Sequence, residues 1–171
     1  SPINSDPNYP NYEISIDNKN INENIISVDY VDGFSMLINK EKFKDEDFFD
    51  ENFFLYLENT DLCLRTKKRG QNIFIIKNSF IYHAGAGSIV SKDLEYLRNW
   101  HWMWSKFYFN KKHYGYFNAF SKIISNLLSA MIKYVFYLIL FNSYKKKIYL
   151  MRVCGLYNSI IGKKSWLRIN D

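Results

Sequence analysis

Apolar pairs recur every four residues between positions 116 and 142: Ile123 and Ile124, Leu127 and Leu128, Met131 and Ile132, Val135 and Phe136, Ile139 and Leu140. That spacing draws one broad stripe along a helix, with Lys122, Ser125, Asn126, Ser129 and Lys133 off it. Residues 92–113 are aromatic-rich and also read as helical, and Gly115 breaks them from the stripe. Residues 143–147 read as a basic turn, followed by a last amphipathic segment to about Lys164. No internal repeat is legible.

The first half follows a different rhythm. Residues 1–26 are rich in Asn, Asp, Pro and Ser without periodicity, and read as an irregular lead-in. Residues 26–38 hold β-favouring side chains interrupted at Asp32-Gly33, which predicts a strand, a bend and a second strand. Residues 40–52 form a charged connector with room for one short helix. From Asn59 a helix is expected: Asn59 or Thr60 caps it, Leu62 and Leu64 begin its apolar positions, Lys67-Lys68-Arg69 suit its C-terminal dipole, and Gly70 ends it. Residues 72–76 and 79–82 read as short strands. The expected organisation is a lead-in at 1–26, an α/β part at 27–91 and a helical part at 92–171.

Charge divides the chain along the same line. Residues 1–91 carry nine Lys/Arg against fourteen Asp/Glu, whereas residues 101–171 carry twelve against one. A basic tail of this kind points to an anionic partner. Its lysines flank apolar stripes instead of forming a continuous basic face, which argues for a membrane surface and against nucleic acid. The stripe at 116–142 is long enough to span a bilayer, since roughly 20 residues suffice. Lys133 near its middle costs about 2.5–3.5 kcal/mol on insertion. A helix lying in the interface keeps that group wet and is the favoured reading; packing on protein and true spanning are the alternatives. Cys63 and Cys154 show no metal spacing and read as reduced thiols. No signal peptide is legible and the first residue is Ser1, which points to a processed chain or a fragment.

Residues 48–65, Phe-Phe-Asp-Glu-Asn-Phe-Phe-Leu-Tyr-Leu-Glu-Asn-Thr-Asp-Leu-Cys-Leu-Arg, set acidic residues among aromatics and run into the basic helix. The order resembles the acceptor-side motif of family 2 glycosyltransferases, in which a Glu-Asp-x-Asp cluster follows an aromatic run. Downstream, His83-Ala84-Gly85-Ala86-Gly87-Ser88 resembles the family's His-x-Gly-x-x-Ser segment. The likeness covers residues 28–88, with a weaker one at 96–109 and 155–166. It implies a partial GT-A-type mixed sheet, the acceptor-binding half, followed by the helical region. No Asp-x-Asp in a fitting context precedes Val28. The expectation is therefore an acceptor half without its donor half, inactive in transfer by itself.

The resemblance also implies roles. Glu58 and Asp61 match acidic positions of the cluster, and Asn59 stands where the family usually has its second acid. Asn takes no proton at neutral pH, so Glu58 becomes the candidate base and Asp61 a positioning group. The plainer reading is a cap and first-turn acids favoured by the helix dipole. Asp50-Glu51 read as turn acids. His83 is the expected ligand of a divalent metal, Mg or Mn, otherwise held by the donor half. Gly85 and Ser88 are expected near substrate, and Asp32-Gly33 resembles a strand end beside the acceptor. Arg98 lies where processive relatives place a diphosphate contact, although a solvated helix arginine is the stronger reading there. Trp100, Trp102 and Trp104 suit sugar stacking, a membrane interface or ordinary packing; His101 and His113 have no motif support. The implied function is inverting transfer of a sugar, rhamnose or similar, from a nucleotide sugar to a lipid-linked or polysaccharide acceptor. The implied place is the cytoplasmic face of a bacterial inner membrane. The alternative is a non-catalytic membrane-binding module that kept the scaffold.

Overall fold

The computed structural model describes residues 17–22, 24–43, 48–82 and 91–168. The chain is mixed α/β and divides into two compact units, Ser1–Phe49 with Asn59–Ala84, and Asp50–Glu58 with Gly85–Asp171. The first holds strands β1 (Asp17–Asn22), β2 (Ile25–Val28) and β3 (Ile73–Ile76), a 3-10 turn at Lys40–Phe43, and helix α1 (Glu58–Lys68) apart from its first residue. The second holds α2 (Lys92–Tyr114), α3 (Tyr116–Ile139) and α4 (Ser143–Ile160).

β2 is the central strand of three and pairs antiparallel on both sides. Against β3 the register runs from Ile25 opposite Ile76 to Val28 opposite Ile73. The sheet is thus antiparallel throughout the described residues, where a mixed one was expected. The irregular lead-in is also corrected, because β1 lies within it. Ladder bonds to β2 hold that Asn-rich segment extended against its own weak strand preference. Residues 34–38 form no second strand. The segment after β2 spends its polar groups on α1: the Cys63 thiol donates to the Val31 carbonyl at 3.9 Å, and Asn59 reaches Tyr30. Residues 79–82 form no strand either, since Ser79 N–H turns back onto the Ile76 carbonyl.

α1 ends as its sequence predicts. Gly70 adopts φ 72°, its N–H bonds the Lys67 carbonyl, and Gln71 N–H bonds that of Thr66. This double bond closes the last turn in the left-handed form that glycine takes without a Cβ penalty. Leu62, Cys63 and Val28 form the buried centre of this unit, and Arg69 lies over the Phe43 ring.

In the helical unit, Ser91 caps α2 by accepting from Leu94 N–H at 3.1 Å, and Lys111, Lys112 and His113 oppose the dipole at its far end. The residues expected as a basic turn are the first turns of α4, capped by the Asn142 side chain bonding Lys145 N–H. α2 packs most extensively on α4, and α3 on both. Met103, Phe107, Ala119, Ile123 and Leu156 form the core. Gly155 permits the closest approach: a Cβ there would stand 2.2 Å from the Trp100 carbonyl oxygen. Ser159 Oγ donates to the Trp104 carbonyl and Trp104 Nε1 to that of Lys163, locking the same pair of helices.

The segment Asp50–Glu58 belongs to this helical unit. Asp50 makes a turn by accepting from Asn52 N–H, and its other oxygen accepts from Tyr108 and Lys112 at 2.9 and 2.8 Å. Burial pushes the Asp50 carboxyl up, but Lys112, Asn52 and Tyr108 together outweigh it and hold it below its ordinary value. The Phe53 ring stands edge-on to Tyr108, and Phe54 lies between His101 and Arg168.

Two outcomes are expected in unfolding experiments. Gly155→Ala should cost about 3 kcal/mol, the upper part of the usual overpacking range, because the obstructing atom is backbone. Asp50→Asn should cost about 1–3 kcal/mol at neutral pH. Its depressed folded value means that the stabilisation is complete above 3.8 and fades as pH falls through the lower folded value. Urea melts at pH 7 and pH 3 should therefore show wild type and Asp50→Asn converging in acid.

Candidate functional site

α1 emerges from two consecutive non-glycine residues in the left-handed region, Tyr56 at φ 70° and Leu57 at φ 68°. Each costs about 1–2 kcal/mol in an L-residue, and strain of this kind persists only where neighbours over-determine it. Here Ser105 Oγ donates to the Leu55 carbonyl at 2.8 Å, the Trp102 ring stands edge-on to Tyr56 at 5.5 Å, and Leu57 is buried. Helix α2 therefore clamps the turn that launches Glu58.

Glu58 opens α1 half-buried, and its Oε2 is shielded from water with no hydrogen-bond partner among the described residues. An unmet carboxylate oxygen of this sort costs on the order of 1–3 kcal/mol. A ligand hydroxyl donating to it would recover that cost. Burial pushes the Tyr56 phenol up, the Arg98 cation works against that, and the Glu58 carboxylate adds to it. Glu58, Tyr56 and Arg98, with Trp102 against the Tyr56 ring, thus form one electrostatically linked group within the helical unit.

A second group lies within the sheet unit. Asn59 Nδ2 donates to Tyr30 Oη at 2.8 Å, and Tyr30 donates to Asp32 Oδ1 at 2.8 Å. Gly33 lies against the same asparagine, since a Cβ on it would stand 3.2 Å from Asn59 Cβ. Candidates from two stretches distant in sequence, Asp32-Gly33 and Asn59, are brought together. Tyr30 joins them without any signal in the sequence.

Asp61 faces elsewhere. It is 0% exposed, and its Oδ2 accepts from Arg65 Nε at 2.8 Å, while another Arg65 nitrogen bonds the Phe48 carbonyl at 2.6 Å. That arrangement makes Asp61 part of an ion pair within α1. The cysteines are unpaired, and burial raises both thiols above their ordinary value, which leaves them poor nucleophiles. His101 is a packing histidine. Its Nε2–H donates to the Leu167 carbonyl and Ser165 donates to Nδ1, and burial holds the ring below its usual value. His83, Gly85 and Ser88 lie outside the described residues. Among the described residues, no three His, Cys, Asp or Glu side chains converge as a metal site.

Arg65→Met should cost about 3–5 kcal/mol, because it removes the paired cation from a fully buried carboxylate. Asp61→Leu added to Arg65→Met should recover part of that loss in urea unfolding. Set beside known proteins, the chain matches no family model, no curated protein and no solved structure, so the family likeness rests on the motif residues alone.

Proposed function

We propose that this chain is the acceptor-side portion of an inverting GT-A glycosyltransferase. In this reading it moves a sugar from a nucleotide sugar to a lipid-linked or polysaccharide acceptor at the cytoplasmic face of a bacterial membrane. The observation that carries the proposal is Glu58: a carboxylate oxygen shielded from water and lacking a donor, set at the end of a strained, clamped turn. Glu58 takes the proton of the acceptor hydroxyl as that oxygen attacks the anomeric carbon. The new C–O bond forms as the bond to the diphosphate breaks, and the nucleoside diphosphate leaves with the electron pair. Tyr56 and Trp102 offer aromatic faces for a sugar ring, and Arg98 offers a cation for a phosphate oxygen. The resemblance adds His83 and a divalent metal. Among the described residues no three His, Cys, Asp or Glu side chains converge as such a site.

A scaffold that retains the fold without the chemistry is the second reading. The amide at Asn59 and the ion-paired Asp61 favour it. Kinetics of a polypeptide joining this chain to a nucleotide-sugar-binding half distinguishes the two. Glu58→Gln should lower turnover about 10²–10⁴-fold, the usual worth of a general base, with the donor KM little changed. Unaltered turnover would remove Glu58 from the mechanism. Asn59→Asp should raise turnover only if the site is a weakened one.

A further inference from the structure

Helix α3 has three faces, as an advance of about 100° per residue shows. One, through Ala119, Ile123, Leu127 and Ala130, packs into the helical unit. A second carries Lys122, Ser125, Ser129 and Lys133. The third runs the length of the helix through Phe117, Phe120, Leu128, Ile132, Val135 and Ile139, and every one of these side chains is exposed. The apolar stripe is thus wider than the protein uses, and its outer part has no cover among the described residues. The helix is long and apolar enough to cross a membrane by length and composition, yet little of it is buried.

Three observations identify what covers this face. Between Glu95 and Asp171 the chain has no acidic residue, while Lys122, Lys133, Lys145 and Lys147 are exposed on α3 and α4. Phe141, at the tip joining these helices, sits at φ 52° in the position that normally takes glycine. Its N–H bonds the Leu138 carbonyl and Asn142 N–H that of Tyr137, so the turn is ordinary but the residue is strained. Its ring is 92% exposed, so it packs on almost nothing in the described structure. Finally, a spanning orientation would place Lys133 in hydrocarbon and strip α3 from α2 and α4, whereas an in-plane one leaves both untouched.

We infer that the outer face of α3, with Phe141 and the lysines at the start of α4, lies in the plane of an anionic lipid surface. The apolar side chains enter the acyl boundary, and the lysines meet lipid phosphates. This goes beyond sugar transfer, and its test needs no catalytic activity.

The test is flotation of the 171-residue chain with vesicles of phosphatidylcholine, with or without phosphatidylglycerol. Binding should require the anionic lipid, weaken with salt, and be released by alkaline carbonate. Leu128→Glu with Ile132→Glu should abolish it while circular dichroism stays unchanged, because these side chains are 53% and 69% exposed. Neutralising Lys145, Lys146 and Lys147 should reduce it about fivefold per lysine. Phe141→Gly should raise the melting temperature by relieving the turn, yet weaken vesicle binding. Three results would overturn the inference: salt-insensitive binding to neutral vesicles, carbonate-resistant insertion, or no vesicle binding with a dimer that the two Glu substitutions dissociate. The last would assign the face to a second copy of the chain.

Discussion

The left-handed pair Tyr56–Leu57 sets the direction in which Glu58 leaves the turn, because α1 begins at that residue. Two bulky residues there cost about 1–2 kcal/mol each, a sizeable share of a domain's net stability. They are held by the Ser105 bond to Leu55, the Trp102 contact and the burial of Leu57. Asp50, Phe53 and Phe54 tie the preceding stretch to α2 in the same way. α2 in turn depends on Gly155, since α4 could not approach the Trp100 backbone with any larger residue at that point. A methyl group on α4 is thus coupled through packing to the direction in which Glu58 leaves the turn.

Two chemistries share the helical unit. Near the strained turn, aromatic and charged side chains are drawn inward around Glu58; along α3, apolar side chains are left facing out. Charge is separated along the sequence in the same way. Acids are concentrated where α1 and its turn need them, and α3 and α4 carry none that would repel a negative surface.

Helices α1, α2 and α3 were legible because their signals are local: Gly70 after α1, Gly115 after α2, and the four-residue apolar recurrence of α3. The sheet was less so. β1 is polar and held by its neighbour, and the segment after β2 is diverted into side-chain bonds with α1. Glu58, Asn59 and Asp32 were legible as candidates, but their partners were not. Tyr30 and Tyr56 look like any other tyrosine of the fourteen, and a positive φ leaves no mark on residues other than glycine and asparagine. The periodicity of α3 gave the stripe but not its division into a packed and an open face, which depends on where α2 and α4 lie.

The chemistry of the Asn59 group bears on whether this asparagine is a decayed acid. Tyr30 has one hydroxyl proton, and it goes to Asp32, so the bond from Tyr30 to residue 59 must be one that Tyr30 accepts. An amide supplies that donor. A carboxylate in its place would leave two anions competing for one proton, one of them unsatisfied beside Gly33, which costs about 1–3 kcal/mol or more for a charged group. Asparagine is therefore the residue that completes this chain of donors and acceptors, and Asp32 the group it serves. A base at position 59 would require Tyr30 to turn away from Asp32. The neighbouring carboxylate, Glu58, differs in that its Oε2 has no donor among the described residues.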